Sequence, residues 1–215
     1  DIGPSGEASS EIDEQTINRL DLDISHAEEE TIGAVGTAKG CCGGESLRLD
    51  ACIPAGKGPF PAAILVHGGG WIGGDRTQAA RALLQPLTKA GIAWLAVSYR
   101  LAPRHTYPAP VEDVLAAVRW TRGNARRLHL APQRLALVGE SAGGHLVVDA
   151  VVRAGNDARA AAGAPFFAPV DLESDTDRRG GLSRSMRALF GRTELDEAAR
   201  QVLREGSPLR RVHPG

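Results

Sequence analysis

The sequence predicts an α/β fold, in which a mostly parallel β-sheet carries helices on both faces. Short, continuous apolar runs of the kind that form strands buried on both faces recur along the chain. Longer segments with helical spacing of apolar residues separate these runs. With 42% hydrophobic and 24% charged residues over 215 positions, the chain has enough apolar content for the core of one domain.

Five strands are predicted, each from its pattern of apolar residues. The first alternates apolar and polar residues, as a half-buried strand does, and the others are apolar runs typical of buried strands. The predicted strands cover residues 46–53, 62–67, 92–99, 134–139 and 160–167. We expect the last strand to be buried if another strand follows it in the sheet, and otherwise to form an exposed apolar edge.

Helices are predicted between these strands from apolar periodicity and from residues that begin or end helices. Gly91 ends the first helix, and Pro110 stands at the first position of the second, where its missing N–H is tolerated. The predicted helices cover residues 76–90, 111–122 and 141–153, with one or two more within 183–204.

Charge is distributed unevenly along the chain, although the net charge is only −1. Residues 1–30 contain ten acidic side chains and one basic side chain, and the remaining residues carry a net charge of +8. We therefore predict an acidic, disordered leader over residues 1–42 and a folded domain over residues 43–215. The near-neutral total argues against a nucleic-acid-binding protein.

The sequence indicates neither a membrane span nor a metal or cofactor site. No segment of 18 or more residues is both uncharged and strongly apolar. The cysteines are Cys41, Cys42 and Cys52, an odd number without zinc-ligand spacing, and Cys52 is predicted to fill a small apolar site. The chain begins at Asp1 and shows no signal segment, so cytoplasmic and secreted locations both stay open, as does the oligomeric state.

A G-x-S-x-G motif spans Gly139–Gly143 and stands between a predicted strand and a predicted helix. A tight turn from strand to helix forces Ser141 into strained backbone geometry and exposes its hydroxyl, as a nucleophile requires. Small neighbours are needed because larger side chains would collide with adjacent elements. Alternatively, Ser141 is only the N-cap of the helix.

A second glycine-rich motif, His67–Trp71, directly follows the predicted strand 62–67. Consecutive glycines allow backbone N–H groups to converge on an anion, such as the oxyanion of an acyl-transfer intermediate. The simpler interpretation of this motif is a glycine-rich turn that only connects two elements. The spacing of Gly68, Gly70 and Gly73 also matches a dinucleotide fingerprint, but the next strand ends without the carboxylate that would bind the ribose.

Four motifs together resemble one family. They are HGGGW (67–71), YRLAP (99–103), YPAPVEDVLAAVRW (107–120) and GESAGG (139–144). In order and spacing they resemble serine esterases of the α/β-hydrolase fold, namely the hormone-sensitive-lipase-like carboxylesterases and the bacterial feruloyl and acetyl-xylan esterases. The resemblance extends from about residue 43 to the end of the chain.

The resemblance assigns roles to individual residues. Ser141 would be the nucleophile. The oxyanion hole would be formed by the backbone N–H groups of Gly69, Gly70 and Ala142. The loop and the substrate pocket would be shaped by His67, Trp71 and Glu140. Other residues would have a structural role and tie the loops to the sheet, namely Tyr99–Pro103, Tyr107 and Glu112.

The implied activity is hydrolysis of carboxylic esters through an acyl-serine intermediate, without a cofactor. The substrates would be small-molecule esters with small or medium acyl groups, among them acetyl or feruloyl esters of plant polysaccharide. The alternatives are a non-catalytic binding protein, a peptidase or other acyl hydrolase on the same fold, and, more remotely, a nucleotide-binding domain.

The catalytic acid and base are not evident in the sequence. In this family an Asp or Glu and then a His follow the serine, and we expect both beyond Gly215, so that the chain is truncated and lacks its last strands. Residues 171–210 would then form a helical, cap-like insertion. Internal candidates for a base or its orienting carboxylate are His26, His105, His129, His145, His213 and Asp171.

Overall fold

The computed structural model describes residues 20–23, 47–54 and 56–212, and within them the chain forms a six-stranded sheet. The strands are β1 (Leu20–Asp23), β2 (Arg48–Cys52), β3 (Phe60–Val66), β4 (Ala93–Val97), β5 (Leu130–Glu140) and β6 (Ala162–Phe166). Their order in the sheet is β1-β2-β4-β3-β5-β6. β2 is antiparallel to both of its neighbours, and β3, β4, β5 and β6 are parallel, which confirms the predicted mostly parallel α/β sheet.

Strand β1 lies inside the segment predicted to be a disordered leader. Its four residues pair antiparallel with β2, with Leu20 opposite Ala51. The rest of the predicted leader, including Cys41, Cys42 and His26, falls outside the described residues, as does His213. The division between leader and domain therefore stays a prediction.

Six α-helices occur in the described residues. They are α1 (Arg81–Lys89), α2 (Ala109–Gly123), α3 (Ala142–Arg153), α4 (Leu172–Arg179), α5 (Arg184–Phe190) and α6 (Glu197–Glu205). Short 3₁₀ turns cover Arg76–Gln78 and Pro208–Arg211. Among these described helices, none has the length and apolar character that crossing a membrane requires.

The helix predicted over 76–90 is interrupted. A 3₁₀ turn ends at Gln78, and α1 begins only at Arg81, because Ala80 between them adopts a left-handed backbone with φ 43°. A left-handed residue cannot continue a right-handed helix. The helix predicted over 111–122 begins slightly earlier, so Pro110 occupies its second position instead of its first.

The sheet is covered on both faces, as expected for this fold class. Along β3, Ile64 belongs to the large apolar cluster that includes residues of α2 and α3, whereas its neighbour Leu65 faces a smaller cluster against α1. Both side chains are fully buried, because successive residues of a strand point to opposite faces. Cys52 is free and buried in the smaller cluster, which confirms its prediction as a small apolar filler.

Strand β6 forms an exposed edge of the sheet. It pairs with β5 on one side, and among the described residues no strand pairs with its other side. All five of its residues are exposed, so of the two outcomes expected for residues 160–167, the exposed apolar edge describes this strand. The physical reason is that a strand needs neighbours on both sides to lose its solvent contact.

The segment predicted to be a cap-like insertion contains helices α4, α5 and α6. These helices pack against the larger apolar cluster. Each contributes one fully buried leucine, namely Leu172, Leu189 and Leu203. All three helices have a capped N-terminus. The side chains of Asp171, Ser183 and Asp196 each accept a hydrogen bond from a backbone N–H of the first turn. The segment therefore packs as part of the domain, and its role as a cap stays a prediction.

Candidate active site

Ser141 lies at the point where β5 ends and α3 begins. Its backbone has φ 52° and ψ −118°, a conformation that residues with a side chain rarely adopt. The strain is maintained by hydrogen bonds on both sides, because the Ser141 N–H donates to the Phe166 carbonyl at 2.8 Å and its carbonyl accepts from the His145 N–H at 2.9 Å. Ser141 itself is exposed to solvent. These features match the predicted strained turn with an accessible hydroxyl.

Glycines around Ser141 allow the close packing that this turn needs. A Cβ on Gly139 would lie 2.5 Å from the Gly143 carbonyl oxygen, and a Cβ on Gly143 would lie 2.2 Å from the Val66 carbonyl oxygen. Both distances are far below van der Waals contact. The start of α3 thus sits directly on the end of β3, which confirms the expectation that small residues are required beside the serine.

The glycine-rich loop after β3 lies against Ser141. A Cβ on Gly68 would be 3.6 Å from the Ser141 Cβ, so the two motifs found in the sequence come together at the carboxyl ends of β3 and β5. Gly69 and Gly70 have φ values of 107° and 62°, which favour glycine. Among the described residues, neither of their N–H groups donates to a backbone acceptor.

Ala142 supplies a third N–H group at this place. It is the first residue of α3, and the first N–H groups of a helix have no partner within the helix. The positive end of the helix dipole reinforces the attraction of an anion here. The joint use of Gly69, Gly70 and Ala142 as an oxyanion hole stays a prediction that this placement supports.

His67 shapes the loop from beneath. Its ring is 1% exposed and stacks on Tyr99, with ring centroids 4.2 Å apart, and its Nδ1 lies 2.7 Å from the Gly68 carbonyl oxygen. Burial lowers the pKa of His67, which favours the neutral ring. His67 exposes almost no surface and packs under the loop, and its place in the substrate pocket stays a prediction.

Trp71 and Glu140 were both expected to line the substrate pocket. Trp71 is 4% exposed, has a left-handed backbone with φ 62°, and meets the His145 ring edge to face. Its carbonyl accepts from the Ala102 N–H at 2.9 Å, so Trp71 secures the end of the loop. Glu140 is exposed directly before Ser141, and its place in a substrate pocket stays a prediction.

Two of the residues expected to tie the loops to the sheet, Tyr99 and Tyr107, make long-range hydrogen bonds, the first to the loop after β3 and the second to helix α3. The Tyr99 hydroxyl donates to the His67 carbonyl at 3.1 Å, and the Tyr107 hydroxyl donates to Asp149 at 2.9 Å. Burial is the main cause that raises the pKa of Tyr107 to about 12, so this hydroxyl keeps its proton at neutral pH.

Asp113 was missed as a structural residue, and Glu112 was named in its place. Asp113 accepts from the Arg100 backbone N–H at 2.8 Å and from the Arg100 guanidinium at 2.7 Å, and its side chain has no exposed surface. Glu112 is 56% exposed and lies 3.7 Å from Arg100. A usable signal existed, because helical spacing places Asp113 with Val114 and Ala117 on the apolar face of α2.

No histidine in the described part of the chain hydrogen-bonds the Ser141 hydroxyl. His145, one of the internal candidates for a base, is fully buried, and its Nε2 contacts the Gly206 carbonyl oxygen at 2.7 Å. His129 precedes β5, at the end of the sheet opposite Ser141. The Asp171 side chain caps the N-terminus of α4, where it accepts a hydrogen bond from the Ser174 N–H.

The same residues contain neither a metal centre nor the start of a dinucleotide site. Across residues 20–23, 47–54 and 56–212, no group of three or more His, Cys, Asp or Glu side chains could hold a metal ion. A dinucleotide-binding glycine loop leads straight into a helix, whereas here Gly73 is followed by a turn and the helix begins only at Arg81. The nucleotide-binding alternative therefore fails on the local structure.

Comparison with known proteins agrees with this arrangement. A sequence model of the family described as alpha/beta hydrolase fold matches residues 63–214. The carboxylesterase NlhH of Mycobacterium tuberculosis is 40% identical over 94 residues, which are 43% of this chain and 29% of that protein. The esterase LipC of the same organism is 30% identical over 166 residues, which are 72% of this chain and 41% of that protein. The chain thus spans less than half the length of either relative.

A solved structure gives the same result for the fold. EstE1, a thermostable carboxylesterase from a metagenomic library, superposes with a TM-score of 0.69 at 22% identity. The match covers 91% of this chain and 67% of EstE1. At this level of identity the likeness demonstrates a shared fold.

Proposed function

The chain belongs to the alpha/beta hydrolase fold family, and from this premise we propose that the protein hydrolyses carboxylic esters through an acyl intermediate on Ser141. The observation that carries the proposal is the conformation of Ser141. Its φ of 52° at the junction of β5 and α3 holds an exposed hydroxyl beside the glycine-rich loop. Such strain persists only where the surroundings enforce it, and it concentrates at functional sites.

The proposed reaction begins with attack of the Ser141 Oγ on the ester carbonyl carbon. The carbonyl oxygen becomes an oxyanion, which accepts hydrogen bonds from the N–H groups of Gly69, Gly70 and Ala142. The tetrahedral intermediate collapses, the alcohol leaves with a proton, and the acyl group stays on Ser141. Water then attacks the acyl-serine and releases the acid.

A general base must accept the Ser141 proton. No described histidine is hydrogen-bonded to this hydroxyl. We therefore assign the base to a histidine outside the described residues, oriented by a carboxylate, in the order serine, acid, histidine that this fold uses.

We propose esters with short or medium acyl groups as substrates, including acetyl and feruloyl esters of polysaccharides. Helix α5 approaches the glycine-rich loop closely, since a Cβ on Gly70 would lie 3.3 Å from the Ser185 Cβ. This contact limits the space on one side of the loop. The carboxylesterase and esterase relatives support the general class of substrate.

The test uses the protein expressed from its complete reading frame. p-Nitrophenyl acetate and butyrate should be hydrolysed, and Ser141→Ala should lower kcat by about a thousandfold or more. A fluorophosphonate probe should label the parent and not the Ser141→Ala variant. Ser174→Ala, on α4, serves as the matched control and should keep parent activity.

Two results would contradict the proposal. Ser141→Ala could retain the parent rate, or the parent could bind esters without turnover and without labelling by the probe. The second result would favour a non-catalytic binding protein on the same fold. Hydrolysis of amide substrates in preference to esters would favour a peptidase.

A further inference from the structure

A pocket of about 430 Å³ lies where the ends of several helices meet, away from Ser141. It is bordered by the start of α2, the ends of α3 and α5, one face of α6 and the final 3₁₀ turn, and its walls include Tyr107, Pro108, Arg153, Phe190, Val202 and Arg211. Ser141 precedes α3 and Arg153 is its last residue, so a rise of 1.5 Å per residue places the two about 18 Å apart. The pocket is therefore separate from the candidate active site.

Three polar side chains at this pocket bond to one another. The side chain of Asp149 has no exposed surface, and its Oδ1 accepts a hydrogen bond from the Arg153 Nε at 2.8 Å. Its Oδ2 accepts from the Tyr107 hydroxyl at 2.9 Å, and the Tyr107 oxygen in turn accepts from the Arg153 Nη2. Both carboxylate oxygens of Asp149 therefore have a donor, and the charge of Asp149 is balanced by Arg153.

Arg211 has a buried donor that this network does not use. Its Nη2 donates to the Glu205 carbonyl oxygen at 2.5 Å. Its Nε is buried and makes no hydrogen bond within the part of the chain that the structure describes. The Asp149 Oδ1 lies 3.6 Å from this Nε, which is beyond hydrogen-bond distance, and it is already bonded to Arg153. Because a buried N–H without an acceptor is destabilising, this atom indicates that an acceptor from outside the chain completes the pocket.

The charges and the walls of the pocket indicate the chemistry of its ligand. Two guanidinium groups face one buried carboxylate, so these three groups have an excess of one positive charge. Glu205 also borders the pocket, but it is exposed and its carboxylate accepts from Gln201, so water screens its charge. Apolar side chains lie beside the charged groups, namely Pro108, Phe190 and Val202. A guanidinium binds a carboxylate through parallel N–H bonds, and a pocket of this volume takes a small organic molecule.

We propose that this pocket binds a monocarboxylate with a small apolar body. The carboxylate accepts a hydrogen bond from the Arg211 Nε–H, and the apolar body packs against Phe190 and Val202. An inorganic anion would leave these apolar walls in contact with water, and an uncharged ligand would leave the excess charge without a counterion, so both should bind more weakly. The inference does not rest on the proposed function, because it uses none of the residues around Ser141.

The test is a titration of the ¹⁵N-labelled protein, expressed from its complete reading frame, with benzoate at constant ionic strength. Benzoate up to about 20 mM should shift the nuclear magnetic resonance signals of the Arg211 Nε–H and the Val202 N–H in a saturable manner. Three further probes separate the parts of the ligand. Benzamide lacks the charge, acetate lacks the apolar body, and inorganic phosphate is an anion without any apolar part. Each should bind at least about tenfold more weakly than benzoate.

Variants on both sides of the pocket assign the binding to it. Arg211→Gln should weaken benzoate binding about tenfold or more, because it removes the charge and the buried N–H together. Arg210→Gln is the matched control, since the neighbouring Arg210 faces Asp171 and Glu173 at 3.6 and 3.5 Å instead, and it should bind benzoate as the parent does. Val202→Glu keeps Arg211 but adds a carboxylate to the pocket, and it should also weaken binding about tenfold or more.

Several results would overturn the inference. They are the absence of a saturable shift in the parent, an unchanged benzoate affinity in folded Arg211→Gln, and an equal affinity for benzamide, acetate or phosphate. Shifts confined to Gly69, Gly70 and Ala142 would place benzoate beside Ser141 and would overturn it as well. Esterase activity is measured separately on the same samples. A protein that binds benzoate at Arg211 and hydrolyses no ester would lose the proposed function and keep this site.

Discussion

Ser141 and Phe166 are joined by a backbone hydrogen bond in which the Ser141 N–H donates to the Phe166 carbonyl oxygen at 2.8 Å. The same oxygen would lie 2.9 Å from a Cβ on Gly144, so the helix after the nucleophile rests directly on the end of β6. The strained serine is therefore supported by a strand that comes later in the chain.

Gly144→Ala should reduce stability. The added methyl group would meet the Phe166 carbonyl oxygen and the Ala168 side chain at 2.9 and 3.0 Å, so we expect a loss of about 1–3 kcal/mol in the free energy of unfolding. Gly123→Ala, also in a helix but with no atom within 4 Å of the new methyl, should be neutral or stabilising by about 1 kcal/mol. Urea unfolding measures both, and equal effects would contradict the close contact at Gly144.

Substitutions of Ser141 should rank by their tolerance of positive φ. Glycine adopts φ 52° without steric strain, whereas alanine does so at a cost and valine at a greater one. We expect Ser141→Gly to be about 1 kcal/mol more stable than Ser141→Ala, with Ser141→Val the least stable. Thermal unfolding of the three inactive variants gives the order, and a Val variant as stable as the Gly variant would show that the turn is relaxed.

Asp113→Ala should be strongly destabilising. It would leave the Arg100 guanidinium buried, with an exposed side-chain fraction of 8%, and without its closest carboxylate. Removing one partner of a buried ion pair typically costs about 3–5 kcal/mol. Burial raises the pKa of Asp113 even though Arg100 favours its charged form, so the intact pair itself contributes less than this loss suggests.

The neighbouring residue gives the control for this prediction. Glu112→Gln removes a carboxylate that is 56% exposed and 3.7 Å from Arg100, so its effect should stay below about 1 kcal/mol. Chemical denaturation compares the two variants. If Glu112→Gln were as damaging as Asp113→Ala, the assignment of the structural carboxylate to Asp113 would be wrong.

Stability should fall as the pH is lowered below about 6.5, the ordinary pKa of histidine. Burial lowers the pKa values of His67 and His145 in the folded protein, so the unfolded chain binds more protons in this range. The free energy of unfolding is then fully maintained above pH 6.5 and declines below it, by up to about 1.4 kcal/mol per pH unit for each histidine.

This dependence can be assigned to a residue by substitution. His145→Asn should reduce the slope of unfolding free energy against pH between about 5 and 6.5, because it removes one of the two buried imidazoles. Gly123→Ala, which changes no titratable group, should leave the slope unchanged. An unchanged slope in His145→Asn would mean that His145 is protonated with little cost in the folded protein.

Much of the fold could be predicted because its signals are local. The apolar run that becomes β3 and the glycines around Ser141 can be recognised in the sequence. Strand burial restricts the residues of the run, and backbone geometry restricts the residues beside the serine. The break at Ala80 was not predicted. Alanine favours helix, so only contacts from the rest of the molecule can impose its left-handed backbone.

The candidate site shows the same division. Sequence motifs indicated the serine and the glycine-rich loop, but adjacent acidic residues in α2 could not be separated without knowing which one meets Arg100. His145 was named only as an internal candidate for a base, and its contact with Trp71 joins positions far apart in the chain. Such contacts depend on where helices lie, which no local pattern specifies.

By itself, the sequence determined the α/β class, the strained turn at Ser141 and the need for small residues around it, because each depends on local backbone sterics. Tertiary structure alone decided that Asp113 is the buried partner of Arg100. It also decided that His145 bridges the loop and Gly206. The physical reason is that burial and pairing belong to the whole arrangement of elements, and a residue acquires them only when distant segments pack around it.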